Sequence, residues 1–259
     1  ALGLSVAQGL FPIAGVTMME HLGWRAAWVI NAGLVIAGVA VALVFLPRQG
    51  DEAIRSRKEK GSAHEACSKA LWRDPRLLLT MPAVLAGPFI VTGFFFHQAR
   101  LAEQKGWDIA TVAGSFAVFA IVQAVASLVI GPVIDKVGPK RLLPFFLIPQ
   151  AFGMLLLGLM SAPWVAPVYM LLMAVSMALA STLATALWVD LFGARELARV
   201  RSVVEAGTVI ASGASPIIMG LLIDVGIPLA WQALGCCTYC VTASLIAAGV
   251  RRQSEPDEI

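Results

Sequence analysis

The chain has 259 residues, of which 59% are hydrophobic and only 14% charged, and its formal net charge is +3. A water-soluble domain is about half apolar and about a quarter charged, so this chain has too little polar surface to cover a water-facing globule. With a mean hydropathy of +0.82, the composition excludes the soluble class and points to an integral membrane protein.

The apolar residues gather into stretches at 1–19, 24–46, 77–99, 108–134, 142–162, 164–189, 202–223 and 227–250. Each approaches the ~20 residues that a helix needs to cross ~30 Å of hydrocarbon. Strands of a membrane barrel would run ~10 residues and alternate apolar with polar, and none of these stretches alternates. Only a helix satisfies all its backbone polar groups within one such segment. The sequence therefore predicts an all-α fold, a polytopic bundle of about eight transmembrane helices.

In chain order, the first stretch begins at Ala1, with no initiator methionine, basic flank or polar tail. A signal peptide would carry a charged head, a shorter apolar core and a small-residue cleavage site. This start reads as that of a fragment whose beginning is missing. Residues 47–76, PRQGDEAIRSRKEKGSAHEACSKALWRDPR, mix both charge signs and read as a solvated cytoplasmic linker, with a short surface helix over 64–73. The linker closes on Asp74-Pro75, an N-cap followed by a first-turn proline. The next stretch, 77–99, carries Gly87-Pro88 at its middle, Gly93 beyond, and His97 and Gln98 at its end. Gln123 lies deep in 108–134.

Residues 131–143, GPVIDKVGPKRLL, interrupt the apolar pattern. Gly131 and Gly138 let a helix end and the chain turn sharply, and Pro139 suits the first turn of the helix that follows. Asp135 is expected to end its helix at the membrane boundary, where it can accept from the N–H groups of a neighbouring helix start or from a base. Lys140 and Arg141 anchor the following helix at headgroup level.

The basic residues set the expected orientation. Sixteen of the nineteen fall in one set of loops, around 48–76, 136–141, 195–201 and 251–252, leaving Arg25, Arg100 and Lys105 on the other side. By the positive-inside bias the first set is cytoplasmic, and so are both ends of the chain. The net charge follows from this topology and gives no reason to invoke nucleic acid. Cys236 and Cys240 share one face of the last stretch without a histidine or carboxylate beside them, which reads as packing rather than metal binding. Cys67 stands alone in the linker.

A faint internal repeat aligns GLSVAQGLFPI (3–13) with GTVIASGASPI (207–217), and Glu20 with Asp224. Each copy is followed by a tryptophan-opened helix, GWRAAW at 23–28 and AWQAL at 230–234. Two halves related by a parallel repeat are one mark of a transporter architecture. On that alignment 1–46 is the truncated end of one bundle, 77–250 a complete six-helix bundle, and 251–259 a cytoplasmic tail.

The spacing G-x-x-x-D-x-x-G-x-K-R at 131–141 resembles the loop signature of the major facilitator superfamily. So do GWRAAW at 23–28, FFFHQARLAEQKGW at 94–107 and LFGARELARVRS at 191–202, and the last two are most similar to bacterial members near the monocarboxylate and oxalate–formate porters. The resemblance covers essentially the whole chain and implies the fifth to twelfth helices of a twelve-helix protein of the cell (inner) membrane. It further implies that four preceding helices complete the protein, and that the solute cavity lies between the two halves.

For the signature the resemblance implies a gating role. In that family the aspartate caps a helix from the other half and interacts with a nearby arginine, holding the outward-facing state closed on the cytoplasmic side. Asp135 would do so near Ala1, within a motif of Gly131, Gly138, Lys140 and Arg141. Asp190, Glu196 and Arg199 would belong to the same charge network. The plainer reading of Lys140 and Arg141 is the positive-inside bias alone.

By family position, the first, third, fourth, sixth and seventh stretches face the cavity. Gln8, Gly87, Pro88, His97, Gln98 and Gln123 are then the substrate-pathway candidates. Polar groups within a membrane are costly and often functional, although an amide also serves to bind a neighbouring helix. His97 can act as a proton acceptor or sit as an interfacial side chain. Glu205 reads as a local ion pair with Arg201 one turn earlier. Ser176, Ser181 and Thr182 can bond to a solute or to their own helix.

The functional expectation is a secondary transporter of a small solute, coupled to protons or a counter-solute and working by alternating access, with an organic anion implied by the subfamily resemblance. No phosphate-cradling G-x-x-x-x-G-K-[ST] loop is present, so the sequence gives no sign of ATP drive within the chain. No cofactor is expected. A membrane-embedded enzyme would need a convergent nucleophile–base pair or metal ligands, but His21, His64 and His97 stand apart, with no H-E-x-x-H. A channel would want a filter sequence or repeated pore-lining rings. The expected partners are a small solute, the lipid bilayer and the missing helices.

Overall fold

Continuous apolar runs without alternation become helices, and the backbone follows that rule wherever it is described. The structure is a computed structural model and describes residues 2–45 and 74–253. Its helices are α1 (Leu2–Phe45), α2 (Pro75–Phe96), α3 (Gln98–Lys105), α4 (Ile109–Val137), α5 (Pro139–Leu142), α6 (Ile148–Leu159), α7 (Val165–Phe192), α8 (Leu197–Asp224) and α9 (Leu229–Gln253). Six of the described helical segments are long and apolar enough to cross a membrane: His21–Val44, α2, α4, α7, α8 and Leu229–Gly249. The chain is an all-α polytopic membrane bundle. The linker and its expected surface helix over 64–73 lie outside the described residues.

The helices fall into two units. One begins at Leu10 and holds most of α1; the other is built around α2–α9. Within α1, Gly23 takes φ 78 and ψ 159, which breaks the helix in two. That break falls between the first two apolar stretches of the sequence.

The second unit begins as the sequence predicts. The Asp74 side chain accepts a hydrogen bond from the Arg76 N–H at 2.8 Å, and Pro75 supplies the pre-set first turn of α2. At its other end α2 stops at Phe96 rather than running to 99. His97 caps it, and the eight-residue α3 follows until Gly106 turns at φ 67. This short helix is amphipathic and was hidden in the expected span.

The stretch 142–162 is not one continuous helix. It is the single turn α5, a run of turns over 143–147, and the twelve-residue α6. Pro144 and Pro149 cannot donate backbone N–H groups there. The chain tightens to three-residue bonds, with Phe145 N–H on Leu142 O at 2.9 Å and Ile148 N–H on Phe145 O at 3.1 Å. Both Pro82 and Pro88 are carried inside α2 without ending it.

The core of this unit is filled by Trp188, Tyr169, Phe94 and Phe119, each essentially without exposure. Two contacts hold α2 to its neighbours through its own backbone. Ser215 Oγ of α8 donates to the Phe89 carbonyl, and Tyr239 of α9 donates to the Pro82 carbonyl at 2.9 Å. Gly93 permits the first of these, because a Cβ there would collide with Met219 and Ser215. Small residues at such seams let helix backbones approach closely in a membrane. Outward-facing apolar side chains such as Ile121 and Val125 on α4, or Val209 and Ile210 on α8, are exposed because hydrocarbon or a protein neighbour, not water, is their solvent.

Candidate gating and substrate-pathway site

The signature turn is built at one end of the bundle. α4 runs to Val137, and Gly138 caps it at φ 88 and ψ 142 with its N–H on Ile134 O at 2.9 Å. A side chain is strained in that backbone region. Pro139 then opens α5 at its first position. Gly131, expected to help end the helix, instead lies inside α4 with open space around it. Asp135 does not end its helix either. It lies within the last turn, exposed, and has no hydrogen-bond or ion-pair partner among the described residues. Its expected partner near Ala1 lies outside them.

Lys140 reaches Asp190 on α7, with Nζ 3.3 Å from Oδ2. This pair ties the signature turn to the end of α7, and both side chains remain partly exposed. Arg141 is exposed and unpaired among the described residues. α7 ends at Phe192, with Gly193 turning at φ 79. Glu196 and Arg199 form a local pair at the start of α8, leaving Arg199 Nε buried and without a partner among the described residues. The expected network of Asp190, Glu196 and Arg199 is thus two separate pairs.

A second charge that spans helices here is one that sequence reasoning missed. Arg76 Nη1 donates to Leu191 O at 2.7 Å, satisfying a terminal carbonyl of α7. Its other face meets Asp74, with Nη2 2.9 Å from Oδ2, and its guanidinium lies 4.7 Å from the Phe192 ring centre. Hydrogen bonding from Arg76 holds the Asp74 carboxyl below its ordinary pKa. The signal was present in the sequence as Asp74-Pro75-Arg76, where a cap residue is followed two positions later by a base. Arg201 and Glu205, expected to pair, do not pair among the described residues.

At the opposite end, His97 Nδ1 lies 2.8 Å from Gly93 O. A carbonyl only accepts, so Nδ1 carries the proton and Nε2 is the free basic atom. That nitrogen is directed toward Gly220 of α8, 3.7 Å from where a Cβ would stand. Gln98 is buried and donates to Tyr169. Trp107 Nε1 donates to Ser161 O at 2.7 Å and Lys105 to Met160 O at 2.8 Å, closing the end of α6. Burial lowers the pKa of Lys105.

Between these ends, Gln123 is buried in α4 and its Oε1 has no partner among the described residues. Gly87 is buried too, and a Cβ added there would stand 3.3 Å from Met177 Sδ, while Pro88 is partly exposed. The least expected residue is Gln150 on α6. It has no exposure, its backbone N–H donates to Ser176 Oγ at 2.9 Å, and both polar atoms of its amide lack a partner among the described residues. Ser181 and Thr182 donate to Ala178 O on their own helix at 3.0 and 2.9 Å. Gln8 is placed on α1 by its backbone alone. Among the described residues no cluster of three or more metal-ligating side chains occurs.

The family model described as Major Facilitator Superfamily matches residues 1–116 and again 98–258. The chain is also 25% identical, over 158 residues, to the multidrug resistance protein MdtG of Serratia proteamaculans (strain 568). That alignment covers 59% of this chain and 38% of the relative, so the chain matches well under two thirds of that protein's length. With a family match that extends over nearly all of its residues, the chain belongs to the Major Facilitator Superfamily, a family of membrane transporters.

Proposed function

We propose that this chain is the C-terminal part of a secondary transporter that moves a small solute by alternating access, with the basic end of the bundle in the cytoplasm of a cell whose inner membrane it spans. The observation that carries this reading is the signature turn. Gly138 redirects the chain, Lys140 fastens the turn to α7, and Asp135 is left exposed and, among the described residues, unpaired at the same end. A carboxylate so placed is available to the N-terminus of a helix from the other half, where the helix dipole favours it. Arg76 and Asp190 hold the neighbouring helix ends in place around it.

The solute is a small organic molecule with substantial apolar character. Among the described residues, no lysine or arginine lies in the middle turns of α2, α4, α7 or α8, while the buried polar groups of these helices and α6 are uncharged amides and hydroxyls. A related protein carries the name multidrug resistance protein, which agrees with such a solute. An organic anion is the second reading, favoured by the loop motifs at 94–107 and 191–202, and it requires its cation from helices outside the described residues. Gln123 and His97 are the proposed polar contacts of the pathway.

The test is transport by the complete reading frame that contains this chain, expressed in an efflux-deficient host. The expected result is reduced accumulation of a lipophilic dye, with Asp135→Asn cutting transport about 10-fold or more, the scale of losing one gating contact of ~1.4 kcal/mol. A single-channel current, or dye and organic-acid fluxes both equal to those of the empty host, sinks the reading.

A further inference from the structure

The interruption of the helix at 143–147 opens a groove that the transport reading does not use. Its volume is about 560 Å³, and its lining is almost entirely apolar. One wall is the outer face of α6 and the turns before it, with Phe145, Ile148 and Phe152, each at least half exposed. The other wall is α9, with Val241, Leu245 and Ala248. The groove runs lengthwise between two helices of a membrane bundle, so hydrocarbon is the medium it faces.

The groove also has a charged end. Arg141 stands four residues before Phe145, seven before Ile148 and eleven before Phe152, and all four are exposed. The turns over 143–147 interrupt helical spacing, but Pro144, three residues after Arg141, already lines the groove, so the cation stands beside its edge along the chain. Arg141 has no acidic partner among the described residues, unlike Lys140 beside it, which is paired with Asp190.

We propose that this groove is a binding site for one anionic phospholipid, with an acyl chain against Phe145, Ile148 and Phe152 and the phosphate at Arg141. The charge complementarity fixes the occupant. A purely apolar filler would leave Arg141 unused, and a zwitterionic lipid brings a cation of its own toward that arginine. Basic pockets between membrane helices are suited to anionic headgroups, at about 1 kcal/mol for each base near the surface. The site faces the bilayer and stands or falls independently of the proposed solute.

The experiment is native mass spectrometry of the complete protein that contains this chain, purified and equilibrated with phosphatidylglycerol or with phosphatidylcholine of the same acyl composition. The wild type is expected to retain phosphatidylglycerol about fivefold more than phosphatidylcholine, the ratio given by one such base. Arg141→Gln removes that preference, Ala248→Phe lowers retention of both lipids by filling the groove, and Arg195→Gln, an exposed base away from it, changes neither. Inorganic phosphate in excess does not displace the lipid, because the acyl chain supplies part of the binding. Equal retention of the two lipids by the wild type overturns the proposal, as does a preference that survives Arg141→Gln, or a lipid-free dimer with a second copy in the groove. Should a variant fail to fold, a phosphatidylglycerol with a photoreactive acyl chain decides the matter on the wild type. Adducts on α6 and α9 peptides support the site, and adducts elsewhere alone refute it.

Discussion

Gly131 and Gly138 stand seven residues apart in one motif and meet opposite local conditions. At Gly138 the backbone holds φ 88 and ψ 142, a region where a side chain costs about 1–3 kcal/mol. Gly131 has ordinary helical backbone with nothing near its missing Cβ, where alanine improves a helix by about 1 kcal/mol. Thermal unfolding in detergent should therefore fall for Gly138→Ala and hold or rise for Gly131→Ala. Equal losses for both would mean that Gly131 is a packing contact for a helix outside the described residues. The sequence pointed to both glycines as turn formers because spacing records residue type and not backbone angle. For the same reason Gln150 passed unnoticed. Its position in a stretch of Leu, Phe and Met reveals an amide but not that both its polar atoms would be enclosed without partners. Asp74 was legible because capping is local, needing only the two residues that follow it.

At the scale of elements, the apolar runs marked helix existence well and helix continuity poorly. Pro82 and Pro88 leave α2 whole, whereas Pro144 and Pro149 accompany the break between α5 and α6. What differs is the neighbourhood. Around its prolines, α2 has Tyr239 and Ser215 donating to its carbonyls, and a sequence does not show which partners will arrive from 120 or more residues away. The start of α2 permits a pH prediction. The Arg76 hydrogen bond depresses the folded-state pKa of Asp74, so its stabilisation is full above the unfolded value of about 3.9 and is lost as pH falls through the lower folded value. Unfolding temperatures of the wild type should drop on acidification below about pH 4 more steeply than those of Asp74→Asn. Parallel curves would show that the cap contributes the same in either charge state.

Over the whole molecule, the membrane class, the bundle and the family were legible because each is written many times over, in composition, in span length and in a motif set between spans. The partners of the charges were not, since Lys140–Asp190 and Arg76–Leu191 join segments whose order along the chain says nothing of which ends meet. Sidedness is testable at this scale. In a background without native cysteines, Ala194→Cys should react with a membrane-impermeant maleimide only from the cytoplasmic side, and Ser161→Cys only from the outside. Both are exposed, and they lie at opposite ends of α7. The reverse pattern would invert the proposed topology. α2 is also worth viewing as a constructed part, for it is gripped by α8 and α9 at the carbonyls of Phe89 and Pro82. A carbonyl is common to every residue, so the grip survives a change of side chain at either position. Relatives of this chain can thus rewrite the outward chemistry of that helix without re-inventing the joints that hold it.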